Sequence, residues 1–179
     1  MTKSKDEHDA HEDAWPFEEV LMAGRTAARA RQQRFLDYVA DTDPSLSAAL
    51  ASEAARFDVL TRTVIEPAMR EVADKVMQRG WHVSVVRDDD LDRLAPFATP
   101  GIRFYCSRRP PRIATVDWLW PPAFVAYYGC AQIQAVRTHV ELDEVATAPL
   151  SFHDETPLAY PEVTRDAVRA LLVAFLDHL

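Results

Sequence analysis

In residues 43 to 86 a helical apolar period runs up to a glycine and gives way at once to a strand period, and no other segment restricts the fold as much. Asp43 and Pro44 form a helix start, because an aspartate side chain accepts from the first free backbone N–H groups and proline has no N–H to lose there. Leu46, Leu50, Phe57, Leu60, Val64, Ala68, Val72 and Val76 then fall on one helix face, with Ile65 and Met69 on its flank. Glu53, Arg56, Asp58, Arg62, Arg70, Glu71 and Lys75 fill the polar remainder. Pro67 lacks a backbone donor, so a kink or break is expected near residues 64 to 66. Arg79 and Gly80 read as the helix end: a cation in the last turn, then the residue best suited to a left-handed cap. Trp81, Val83 and Val85 alternate with His82, Ser84 and Val86, which is a strand period.

Such a helix face needs a partner layer, and the chain is long enough to supply one. At 179 residues one domain with a sizeable core is expected, spanning residues 15–179. Residues 1–14 are acidic and aperiodic and are expected to form a disordered tail. His8 and His11 make an H-x-x-H pair there, without the further ligands a metal site requires. The tail has no apolar h-region and the chain no run of membrane-spanning length, so the cytosol is the expected location.

A first helix is expected from Pro16 to Ala40, carrying Arg25, Arg29, Arg31 and Arg34, followed by a turn at Asp41 to Asp43 that makes it an antiparallel neighbour of the second. After Val86 a polar connection runs from Arg87 to Gly101. Asp88, Asp90 and Asp92 there mimic part of a calcium loop, but Arg93 and Thr99 stand where glycine and a bidentate glutamate are needed. Alternation then predicts strands over 102–107, 113–120 and 124–128. A last one over 131–142 changes phase near Val136, which marks either a bulge or a strand boundary. Short connections imply an antiparallel meander. Pro149, Pro157 and Pro161 punctuate an irregular stretch before a final helix capped by Thr164, with Asp166 in its first turn. The expected fold is α+β: a long N-terminal helical pair, a meander of four to five strands, and a C-terminal helix packed on the sheet or the long helix.

Function is less constrained. A net charge of −8 disfavours nucleic acid and anionic membranes as partners, and four glycines leave no phosphate-binding loop. Cys106 and Cys130 read as small buried thiols, although Tyr128-Gly129-Cys130 could expose a nucleophile to His82, His139 or His153. Glu141, Asp143 and Glu144 single out no carboxylate pair. No catalytic residue, metal or cofactor is assigned.

The binding candidates are aromatic and basic. Tyr105, Trp118, Trp120, Phe124, Tyr127 and Tyr128 concentrate in the sheet, beside Arg103, Arg108, Arg109 and Arg112. Alternation divides these aromatics between two faces, and if the helices cover one face only, those left exposed beside the arginines suit a partner surface or stacked bases. Alternation puts Trp118 and Trp120 on one strand face, with Trp118 expected in the core and Trp120 more exposed. The preferred reading is a non-enzymatic protein-binding adaptor, chaperone-like or regulatory; in size and charge alone it resembles the secretion chaperones. The alternative is a small-molecule or nucleotide-binding protein, conceivably an enzyme, that uses Trp118, Trp120, Tyr105, Tyr127 and the arginine group.

Overall fold

The computed structural model of the protein describes residues 30–89, 99–108, 123–142 and 157–179. The expected tail, the start of the first helix, and Arg109, Arg112, Trp118 and Trp120 with their expected strand lie outside these residues, as do most of the calcium-like loop and His153. In chain order the structure has a helix α1 over 30–42, α2 (Pro44–Leu60), a π turn (Thr61–Ile65) and α3 (Glu66–Met77). Strands β1 (His82–Asp89), β2 (Gly101–Ser107), β3 (Ala123–Cys130) and β4 (Ala135–Glu141) follow, then a 3-10 turn (Tyr160–Glu162) and α4 (Arg165–Leu176). The fold is α+β. The described strands form one antiparallel sheet in the order β1-β2-β3-β4, as short connections and period-two patterning dictate.

The helical pair is present, with a tighter joint than the sequence suggests. Only Asp43 leaves the helical conformation between α1 and α2, and its carboxylate accepts from Leu46 N–H at 3.0 Å and from the Ser45 hydroxyl at 2.6 Å. These bonds hold its carboxyl below the ordinary carboxylate range.

Pro67 produces a π turn where a kink was expected. In a regular α-helix its N–H would bond Thr63 O. Instead Glu66 N–H reaches back to Thr61 O, which widens the turn by one residue. The orphaned Thr63 carbonyl accepts from Arg165 Nη2 at the start of α4, 3.1 Å away. The extra residue also moves the buried line from Leu60 and Val64 onto Ile65. Leu50, Phe57, Ile65, Ala68, Met69, Val72, Ala73 and Val76 are buried, while Leu60 and Val64 are half-buried.

That line meets one face of the sheet. Register pairs Val83 with Cys106, Val85 with Phe104, Phe104 with Val125 and Val125 with Val140, so these side chains share the helix-covered face. Capped by Thr164 as expected, with Ala167 N–H bonding its hydroxyl at 3.2 Å, α4 packs both on the sheet and on α3. Phe175 meets Phe104 edge-on, ring centroids 6.4 Å apart, and Arg169 is paired with Glu71 of α3. Two strand ends differ from expectation. Asp89 still pairs with Gly101 beyond a register shift, so β1 runs into the polar connection. Residues 131–134 form a turn, with Gln134 at φ 50°, before β4 begins at Ala135. The phase change near Val136 is therefore a strand boundary. Among the described residues no helix is long and apolar enough to cross a membrane.

Val76 is buried and Lys75, its neighbour in sequence, is solvated. Val76→Asp should therefore cost about 3–5 kcal/mol, as an unpaired buried charge does. Lys75→Asp should cost about 0.5 kcal/mol, through its exposed pair with Glu71. Comparable urea midpoints for the two variants would place the apolar face wrongly.

A second expectation concerns acid. Hydrogen bonds from Arg169 and Lys75 hold Glu71 below the ordinary carboxylate value of 4.5. Its folded pKa is thus depressed, and the associated stability is present above that value and lost as pH falls through the depressed one. Arg169→Ala should lower the urea midpoint at neutral pH, and its gap to the parent should narrow as pH falls below 4.5 through the depressed value. A difference that persists undiminished in acid would assign the effect to packing.

Candidate functional site

Gly80 decides where the exposed end of α3 points. It takes φ 82°, the left-handed conformation that ends helices, and its N–H bonds Met77 O at 2.9 Å. A Cβ there would meet nothing within 4 Å, so the requirement is on the backbone and not on space. The chain turns through it and lays Trp81, half-buried, against the core at the head of β1. Because His82 pairs with Ser107, the next residues outward, Trp81 and Arg108, face each other across β1 and β2. The Arg108 guanidinium carbon lies over the Trp81 ring, 4.6 Å from its centroid. The last turn of α4 brings Leu176 and Asp177 to the same corner. Together with Val76 and Arg79 these residues line a half-open hollow of about 230 Å³. Its floor is apolar, its wall aromatic, and two guanidiniums and one carboxylate stand at its mouth. Neither Arg79 nor Arg108 has a carboxylate partner among the described residues, whereas Arg62, Arg70, Arg87 and Arg169 are all ion-paired.

The other sequence candidates occupy different places. On the sheet face away from the helices, register brings Tyr105 opposite Phe124 and Phe124 opposite Glu141, with Arg103 and His139 flanking Ala126. Arg103 Nη1 donates to Tyr105 Oη at 3.0 Å and its guanidinium lies 4.8 Å from the Phe124 centroid. Phe124 also stacks on His139 at 5.6 Å. This row is no open aromatic surface: Tyr105 is 8 % exposed and Tyr128 1 %. Tyr127 points the opposite way, into the helix-side core, where burial pushes its phenol well above the ordinary value. Arg103 lies within β2 and Arg108 just past its end, five residues and about 16 Å along the chain, so the two belong to separate sites.

A third cluster is polar and buried. Glu53, which the sequence groups with the solvated face, is only 5 % exposed. It sits between Leu50 and Phe57 on the inward side of α2, and its carboxylate accepts from the Tyr160 hydroxyl at 2.6 Å. Burial first, then this bond to Glu53, pushes the Tyr160 phenol well up, so it stays protonated and remains a donor. Arg56 covers the Tyr160 ring at 3.7 Å. Gly129 lies beneath the pair, its N–H bonded to Thr99 Oγ1 at 2.8 Å and its carbonyl accepting from Thr99 N–H at 2.9 Å. An added Cβ would lie 3.1 Å from both Thr99 Cγ2 and Tyr160 Oη. The arrangement ties α2, β3 and the 3-10 turn together.

Among the described residues no histidine is set beside either cysteine as a base. Cys106 and Cys130 form no disulfide and are buried. Cys106 shares a face with Val83, so His82 points away from it. Cys130 lies four residues along β3 from the partner of His139, about 13 Å away. Among the described residues no cluster of His, Cys, Asp and Glu is arranged to hold a metal ion.

The corner residues Arg79 and Trp81 carry no motif, and the sequence marks them only as a helix end and a strand start. The usable signal is the Arg-Gly-Trp order itself, since a left-handed glycine places its two neighbours on either side of one turn. No protein-family model, no curated protein and no solved structure matches the chain.

Tyr160→Phe leaves the buried Glu53 carboxylate without its donor and should cost about 1–3 kcal/mol. Gly129→Ala should destabilise through three close approaches, to Thr99 Cγ2, Tyr160 Oη and Glu53 Oε1. Combined, the pair should cost less than the sum, because removing the hydroxyl relieves one of them. Strict additivity in denaturant titrations would separate Gly129 from this cluster.

Proposed function

We propose that the protein is a non-enzymatic binding module that receives a segment of another protein at the Trp81 corner. The observation that carries this reading is the hollow itself. At about 230 Å³ it falls below the ~300–1,000 Å³ of sites that enclose whole small molecules, and it fits one or two side chains. Its aromatic wall and its arginines are the residue types that anchor protein interfaces. Its position adds to this: two helix ends and two strand ends meet there, so the lining is held by regular elements and needs little ordering on binding. An adaptor or chaperone-like role is consistent with such a site, and Arg108 is common to this reading and to the sequence candidates.

Trp81→Leu keeps apolar contact with the core but removes the flat face under Arg108. The variant should melt within a few degrees of the parent, a shift of about 1 kcal/mol or less, while losing the protein that co-purifies with the full chain. Retention of that protein by a folded Trp81→Leu chain would move the binding surface elsewhere.

A further inference from the structure

We infer that the Trp81 corner recognises a carboxylate-bearing residue flanked by apolar side chains in the partner segment, and that it discriminates against a phosphorylated one. This rests on the corner being a protein-binding site and adds the chemistry of its occupant. The first ground is the state of the guanidiniums. In a chain of net charge −8, Arg79 and Arg108 have no carboxylate partner among the described residues, although Asp177 lines the same hollow. The Arg108 guanidinium carbon lies over the Trp81 ring. A contact of that kind takes up no N–H donor, so the guanidinium keeps the fork that a carboxylate fills with two parallel bonds.

The second ground is charge. Arg79 and Arg108 against Asp177 leave one uncompensated positive charge at the mouth, which matches a single carboxylate. A phosphate dianion would bring a second negative charge beside Asp177. The C-terminal ends of α3 and α4 also reach this corner, and helix C-termini carry partial negative charge. The first carboxylate gains contact-range, charge-assisted bonds that outweigh these screened helix ends; a second negative charge exceeds the single net positive charge at the mouth and stands beside Asp177 and both ends. The third ground is the floor. Val76 and Leu176 offer apolar surface beneath the charged mouth, so the residues next to the carboxylate contribute by burial.

The test follows the Trp81 indole N–H resonance in the 15N-labelled full chain, assigned through its disappearance in Trp81→Leu. Three blocked peptides are titrated: Leu-Glu-Leu, Leu-Lys-Leu and Leu-phosphoserine-Leu, with acetate as a fourth probe. The Glu peptide should give a saturable shift, the Lys peptide none, and the phosphoserine peptide at least tenfold weaker binding. Arg79→Ala and Arg108→Ala should each weaken the Glu peptide tenfold or more, and Asp177→Asn should narrow the gap to the phosphoserine peptide. Equal binding of the Lys peptide, tighter binding of the phosphoserine peptide, or acetate binding as tightly as the Glu peptide would overturn the inference. So would unchanged affinity in both arginine variants, or no shift with any probe. If the natural partner is still lost on Trp81→Leu but retained on Arg79→Ala and Arg108→Ala, the binding module stands and the acidic occupant falls.

Discussion

Burial of one line of side chains, from Phe57 through Ile65 to Val76, is the constraint on which the other contacts depend. It fills the space between the helices and the sheet, and α3 at its centre touches both β1 and α4. Pro67 falls inside that line and removes a backbone donor. The π turn and the Arg165 bond to Thr63 O absorb this defect while the helix continues and the line stays facing the sheet. A break instead would have separated Phe57 from Val72, and with them the two halves of the core.

Electrostatics is distributed around that core in a consistent way. Arg87 of β1 reaches Asp58 at 2.6 Å and Glu66 at 3.5 Å, bridging sheet and helix, and Arg169 bridges α4 to α3 through Glu71. The bonds across these seams are between layers and so restrain their relative position, even where each exposed pair contributes little energy. The Trp81 corner is where the same layers end. Arginines there face a hollow without a carboxylate partner among the described residues, on a frame that the other ion pairs hold in place.

Much of the fold was legible because it rests on local signals. Asp43, Gly80 and Thr164 each mark a helix end by a side-chain or backbone requirement that acts within a few residues, and the strand alternation around Val83, Phe104 and Val125 needs only period two. The π turn was only half legible: Pro67 announces a missing bond, but the Arg165 donor that takes up the freed Thr63 carbonyl lies far away in sequence. Glu53 was misread for the same reason. Its burial requires Tyr160, and nothing near Glu53 announces that partner. The site lay in the same gap. Arg79, Trp81, Arg108 and Asp177 are ordinary residues at four element ends, joined only by strand register and by the docking of α4.

The π turn has a consequence for how this sequence can change length. A helix advances about 100° per residue, so the additional residue between Thr61 and Ile65 sets α2 and α3 in different rotational frames. Leu50, Glu53 and Phe57 are in phase with one, and Ala68, Met69 and Val72 with the other. The wide turn takes up that residue, so Phe57 and Ile65 share a buried face as they would in an unbroken helix one residue shorter. Loss of an exposed residue such as Arg62 would leave Glu53 facing Tyr160. Between Phe57 and Ala68 the fold therefore tolerates a change of one residue in number better than a change in the identity of Ile65.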